Sequence, residues 1–340
     1  MNSTIEDLGA EQRLPKPREK PGMTKFLRRY GAQVGILTVF GLMWLSFIIL
    51  APETFLSPQI YLAFMSTIPF FAIIALPLTM LVIAGEMDLS FPSIMAIGMV
   101  AFVAVLNSTG NVFLSLLAGL AAGFLAGLLN GVIVVGIGLP SLVVTIGTQF
   151  FWRGAVLVLL SGKSYSLVAA KDSFIYTLLV GKVAGIPMQM IWLVVIAVVV
   201  WVLLNRHRFG ANIYVIGDNR QTAELMGVNT ARTRMLMFAL VGVAAAFAGI
   251  LASLQVSFFW PSLGEGYLLS TLAAVFLGGT SVFGGVGTIL GTFIGSFIIG
   301  AIQAAIVAIG LTGFWTELIY GLIITVSVSM HAILRRKVGD

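Results

Sequence analysis

Gly85-Glu86-Met87-Asp88-Leu89-Ser90-Phe91-Pro92-Ser93 sets two carboxylates between an apolar run at 62–84 and another that begins at Phe91. It is the most polar stretch between two such runs. Ser90 or Asp88 is placed to cap the helix that follows, and Pro92 falls in its first turn, where a missing N–H costs nothing. Acidic groups there also suit the positive end of a helix. Two readings stand together. In one, a broken helix borders a solute pathway, and Glu86, Asp88, Ser90 and Phe91 coordinate polar solute or hold a gate. In the other, the carboxylates only cap.

Working outward, the flanking runs belong to a series of ten: 33–51, 62–84, 91–106, 112–136, 140–160, 189–204, 235–255, 268–283, 286–309 and 314–334. A bilayer core needs roughly 20 apolar residues per helix, so the series predicts an all-α integral membrane protein of about ten spans. Composition agrees. Of 340 residues 59% are hydrophobic and 9% charged, where a soluble domain has about 25% charged. Such a chain has too little polar surface to face water. No alternating pattern supports a β-barrel. The first run follows a long polar tail, so it reads as a span and not as a cleaved signal peptide.

The basic residues give an orientation. Arg13, Lys16, Arg18, Lys20, Lys25, Arg28 and Arg29 lie before the first run. Arg206, Arg208, Arg220, Arg232 and Arg234 follow the sixth, and Arg335, Arg336 and Lys337 follow the tenth. Basic loops stay inside. Six spans before the loop and four after it put both termini and the 205–234 loop in the cytoplasm. Lys163, Lys171 and Lys182, in the segment 161–188, then fall outside against the rule. The resulting division is a basic cytoplasmic tail at 1–32, a transmembrane domain at 33–334 and a short tail at 335–340. The basic stripes suit anionic lipid headgroups and cytoplasmic partners, and nucleic acid is not expected.

The chain also repeats itself. Gly85-Glu86-Met87-Asp88-Leu89 before span three resembles Gly264-Glu265-Gly266-Tyr267-Leu268 before span eight. Gly136-Ile137-Gly138-Leu139-Pro140 resembles Ala308-Ile309-Gly310-Leu311-Thr312. Spans 2–5 then match spans 7–10, and the odd offset turns one half upside down. Inverted repeats with short, Gly/Pro-interrupted segments mark a transport path, which adds Glu265 and Tyr267 to its candidate residues. Chance similarity between apolar, Gly-rich segments is the competing explanation. Arg153 and Glu317 lie inside apolar runs and should face the interior or a watery cavity.

Other features exclude functions. Gly278-Gly279-Thr280-Ser281-Val282-Phe283-Gly284-Gly285-Val286-Gly287 lacks the Gly-Lys-Ser/Thr ending of a phosphate loop and reads as a tight turn with close helix packing. His207 and His331 sit near span ends and there is no cysteine, so no metal site is expected.

The loop after span six is the sharpest feature. Asp218 or Asn219 caps a short helix containing Arg220, Ala223, Glu224, Leu225 and Met226, and Gly227 stops it. A helix this short is marginal alone and must dock, either on its own bundle or in a partner's groove.

From about residue 33 onward the chain resembles the permease subunits of bacterial ABC importers for simple sugars, the ribose, xylose and autoinducer-2 branch. The resemblance rests on residues 85–90, on Thr145-Ile146-Gly147-Thr148 with Trp152-Arg153-Gly154, on Gly217–Val228, and on Gly266-Tyr267-Leu268 through Ala273–Ser281. It implies a homodimer in the bacterial inner membrane with the solute path near the two-fold axis. It also implies a cytoplasmic ATPase whose groove takes residues 217–228, and a periplasmic sugar-binding protein. ATP and Mg would then be held by the ATPase, and this chain would be no enzyme and need no cofactor. Two departures from the family pattern, Phe91-Pro92 in place of Val-Gly and Glu86 in place of Gly, leave the solute open. The alternatives are nucleosides or branched amino acids as cargo, or a proton- or sodium-coupled transporter that uses its intramembrane carboxylates.

Overall fold

The computed structural model describes residues 23–339, with side chains over 34–333. The expected basic tail lies outside the described residues up to residue 22. Fourteen helices follow in order: α1 (Met23–Leu50), α2 (Pro52–Phe55), α3 (Pro58–Ile83), α4 (Phe91–Thr109), α5 (Val112–Val132), α6 (Ser141–Leu160), α7 (Phe174–Val180), α8 (Met188–Asn205), α9 (Arg208–Asp218), α10 (Arg220–Leu225), α11 (Thr230–Val256), α12 (Tyr267–Leu277), α13 (Ile289–Ala308) and α14 (Phe314–Gly339). Eight are long and apolar enough to cross a membrane, and Val34–Leu50 and Tyr267–Leu277 are shorter apolar helices. Each of the ten runs therefore holds one helix. Strands among the described residues are two-residue pairs: β1 (Tyr165–Ser166) with β4 (Phe258–Phe259), and β2 (Lys182–Val183) with β3 (Ile186–Pro187).

Two boundaries depart furthest from hydropathy. α1 starts at Met23 and not at 33, because Lys and Arg are good helix formers and do not end a helix. α12 stops at Leu277 although the apolar run continues to 283. Gly278 and Gly279 follow, and Gly279 takes a left-handed turn at φ 85.

α3 and α11 form the centre, and most residues of both are buried. α14 lies at the periphery, with Leu318, Leu322 and Val326 exposed. The packing is symmetric under exchange of halves. α3 packs on α12 and α13, as α11 packs on α4 and α5. α4 packs on α5 and α6, as α12 packs on α13 and α14. The helices matched by the sequence repeat thus occupy matching places. The halves differ in one link. Gly110 and Asn111 alone join α4 to α5, whereas residues 278–288 join α12 to α13.

Glycines set the closest approach. Gly119, Gly123, Gly127 and Gly131 recur every four residues on α5, so they share one face. A β-carbon at Gly123 would meet the Gly242 backbone, and one at Gly127 the Phe238 carbonyl, both on α11. Small residues at such spacing let membrane helices touch along their backbones.

Candidate functional site

The helix series is broken at two matching places. After α3, residues 84–90 are not helical. A broken backbone inside a membrane bundle must find hydrogen bonds within the protein, and here neighbouring helices supply them. Ser141 of α6 accepts from the Met87 N–H at 3.0 Å. Asp88 accepts from both the N–H and the hydroxyl of Ser90 at 2.7 and 2.6 Å, and Asn130 of α5 donates to the Ser90 oxygen at 2.6 Å. Asp88 and Ser90 are fully buried. The expected cap is therefore built differently. Ser90 is the residue before the helix, but its side chain bonds no helical N–H. Gln149 of α6 accepts from the Ser93 N–H at 3.2 Å instead, which pins the start of α4 to a neighbour.

The second break, residues 257–266, follows α11. It opens with Ser257 in the left-handed region and contains Gly264 at φ 97. Gly264 lies directly against Pro92, and a β-carbon there would overlap the Pro92 carbonyl oxygen. The second break thus touches the first turn of α4, just past the first break. Arg153 of α6 binds both the second break and that turn. It donates to the Pro92 carbonyl at 3.2 Å, to the Leu263 carbonyl at 2.9 Å and to the Pro261 carbonyl, and its Nε lies 3.5 Å from the Glu265 carboxylate. A guanidinium is the one side chain that can hold this many acceptors in a fixed plane. Glu86 of the first break pairs with Arg234, on the second turn of α11. Each break's glutamate is therefore held by an arginine of the opposite half.

A cavity of about 880 Å³ opens beside the second break, between α3, α12, α13 and α14. It lies at the end of the bundle away from α9. Its polar lining includes Thr67, Ser262, Glu265, Ser270, Gln303, Thr316, Glu317 and Tyr320, and its aromatic lining Phe71, Trp260 and Tyr267. Of the residues singled out as pathway candidates, Glu265 and Tyr267 line it. Glu86, Asp88, Ser90 and Phe91 do not, and Phe91 is fully buried in the core. Glu317 lies in the cavity wall and Arg153 is engaged with Glu265, so the two residues do not pair.

At the opposite end the loop after α8 forms two helices, where one was expected. His207 caps α9, its Nδ1 accepting from the Phe209 N–H at 3.1 Å. Asn219, not Asp218, caps α10 by accepting from the Thr222 N–H at 3.0 Å. Gly227, at φ 79, ends it with the Val228 N–H returning to the Ala223 carbonyl. α10 divides its apolar residues. Ala223 is buried on the bundle, while Leu225 is 89% and Met226 67% exposed. Arg220 and Glu224 form an i,i+4 pair at 3.1 Å beside them.

The α9 end also touches the edge of the first break. A β-carbon on Gly217 would overlap the Ile83 carbonyl, the last residue before the first break. That same carbonyl accepts from the Gly285 N–H at 2.8 Å, and Tyr214 donates to the Gly287 carbonyl at 2.9 Å. The glycine-rich link is thus a close-packed turn that seats α9.

A family model described as "Branched-chain amino acid transport system / permease component" matches residues 60–328. The chain is 31% identical over 305 residues to a protein of Yersinia pestis (strain Pestoides F) named "Autoinducer 2 import system permease protein LsrC", covering 89% of this chain and 85% of that one. The proteins of the same name from Yersinia pestis bv. Antiqua (strain Angola) and Yersinia pseudotuberculosis serotype O:3 (strain YPIII) match with the same identity and coverage. No solved structure matches.

Proposed function

Because the chain belongs to the branched-chain amino acid transport system / permease component family, we propose that it is the membrane permease of an ABC importer that brings a monosaccharide or related polyol into the cell. The carrying observation is the cavity of about 880 Å³ beside the second break. Its size lies in the usual range for small-molecule sites, roughly 300–1,000 Å³. Its lining mixes amide, carboxylate and hydroxyl groups with Trp260 and Tyr267. Hydroxyls of a sugar bond to the former, and its C–H faces lie on aromatic rings. The relatives named as autoinducer 2 import system permeases support the import reading.

The α9–α10 end faces the cytoplasm in this reading, because it carries Arg206, Arg208, Arg220, Arg232 and Arg234. The cavity then faces the periplasm, where a binding protein delivers solute. Leu225 and Met226, exposed beside an ion pair, are the contact for a separate ATPase subunit. A second copy of the chain and lipid cover the apolar outer faces. ATP-driven closure of the ATPase moves α9 and α10, and the Gly217–Ile83 and Tyr214–Gly287 contacts carry that movement to both halves.

Uptake by cells lacking the chain, with and without its gene restored, tests this. Labelled ribose, xylose, autoinducer 2 and leucine form the panel. We expect ATP-dependent uptake of one of the first three. Uptake of leucine alone selects the amino-acid reading, and uptake that follows membrane potential without an ATPase sinks the proposal.

A further inference from the structure

We propose that Arg234 is a positioning residue that joins the ATPase-facing helix α10 to the broken segment at 84–90, by sharing one guanidinium between Glu86 and Glu224. The proposal rests on the reading of α9–α10 as the ATPase contact.

Arg234 is 4% exposed. One of its terminal nitrogens holds the Glu86 carboxylate, and its Nε and Nη1 have no hydrogen-bond partner. A buried N–H left unpaired is costly, and more so on a charged group. A core arginine kept only for stability would be expected to spend its donors on fixed acceptors. Arg153 does so with its two terminal nitrogens, which bond three carbonyls. Arg234 leaves two donors, Nε and Nη1, without a partner.

A candidate for these donors stands one turn away. Thr230 and Arg234 are i,i+4 neighbours and share a face of α11. Thr230 donates to the Glu224 carboxylate at 2.8 Å, which tethers Glu224 one helical turn from Arg234. The two carboxylates therefore flank one cation. The Glu224 carboxyl is held below the usual carboxylate range by the Thr230 hydrogen bond first and the Arg220 hydrogen bond next. The charges of Arg220 and Arg234 add to this.

Sharing has a mechanical consequence. Residues 84–90 are held at their start by Gly217 against Ile83 and at Glu86 by Arg234. A shift of α10 that brings Glu224 onto a free donor of Arg234 weakens the hold on Glu86. A shift that withdraws Glu224 strengthens it. The break then loosens or tightens with the position of α10.

The experiment uses the full chain with its ATPase and binding protein in vesicles, and reads solute imported per ATP hydrolysed. Glu224→Gln keeps the Thr230 hydrogen bond and removes the charge. Its side chain is half-exposed, so folding is preserved. Arg234→Lys keeps the charge and removes the planar set of donors that two carboxylates could share. We expect each to lower the import-to-hydrolysis ratio at least about fivefold, the lower end of a typical coupling between sites. The double variant should fall no further than the worse single, because both act through one shared group. An unchanged ratio in Glu224→Gln, or losses that multiply in the double variant, overturns the proposal. A chain that assembles with no ATPase overturns the reading beneath it and this proposal together. An assembled complex with an unaltered ratio overturns this proposal alone.

Discussion

Gly264 rests on the carbonyl oxygen of Pro92, so the second helix break meets the first turn of α4 where no side chain fits. Gly264 also sits at φ 97, a conformation other residues adopt only under strain. Gly264→Ala should cost at least about 1–3 kcal/mol and lower the melting temperature of the purified permease. Thermal unfolding in detergent checks this, with an unchanged midpoint against it.

Arg153 joins the same two segments by three carbonyls and Glu265. Arg153→Lys keeps the charge but offers a single ammonium in place of a planar fork. We expect import to fall about tenfold or more, since carbonyls of both segments lose donors. Glu265→Gln, at a carboxylate 59% exposed, should be much milder. Uptake rates of the two variants at equal membrane abundance decide the order.

The α5–α11 seam gives a sharper test of the fold. Gly123→Leu drives a side chain into the Gly242 backbone, and nothing flexible lies there to yield. Little folded protein should reach the membrane. Gly136→Leu, at a position with open space around it, serves as the control and should be recovered normally.

Gln303 and Glu317 face the cavity without a hydrogen bond or ion pair of their own among the described residues. Gln303→Ala and Glu317→Gln should change the solute concentration giving half-maximal uptake by about threefold to thirtyfold, the range of one or two modest hydrogen bonds. ATP hydrolysis without solute should keep its parental rate. A changed hydrolysis rate with unaltered solute dependence would place both residues outside the solute path.

Glu224 also fixes a pH dependence. Its carboxyl titrates below its ordinary 4.5, through hydrogen bonds from Thr230 and Arg220 first. A depressed acid contributes above its ordinary pKa, and the contribution is lost as pH falls through the depressed value. Import per ATP should therefore be flat between about pH 6 and 8 as far as this group is concerned. A titration within that window that vanishes in Glu224→Gln would contradict it.

The ten helices were legible because lipid demands long apolar runs, and each run left its mark in composition. The repeat was legible from Gly85-Glu86 and Gly264-Glu265 because both breaks need a left-handed glycine at the turn. The end of α10 was legible from Gly227 for the same reason. What escaped was pairing across the chain. Arg153 announced itself as a charge in an apolar run, but its acceptors are carbonyls at Pro92, Pro261 and Leu263, which carry no side-chain signal. Gln149 and Asn130 brace the first break from α6 and α5 and looked like ordinary polar residues of spans. Arg234 was counted only as one more basic residue of a loop, since nothing local showed it reaching Glu86. The cavity needed α3, α12, α13 and α14 assembled before it existed at all.

One asymmetry sets the sense of the whole machine. A chain made of two interchangeable halves, one inverted, has no preferred top or bottom, and a lever could be fitted at either end. The link between α12 and α13 breaks that tie. The matching corner at Gly110 and Asn111 is too short to offer a seat, whereas residues 278–288 give α9 the backbone of Gly285 and Gly287 to rest on. The seat for α9 therefore exists at one pole of the bundle, the pole where we place the ATPase contact.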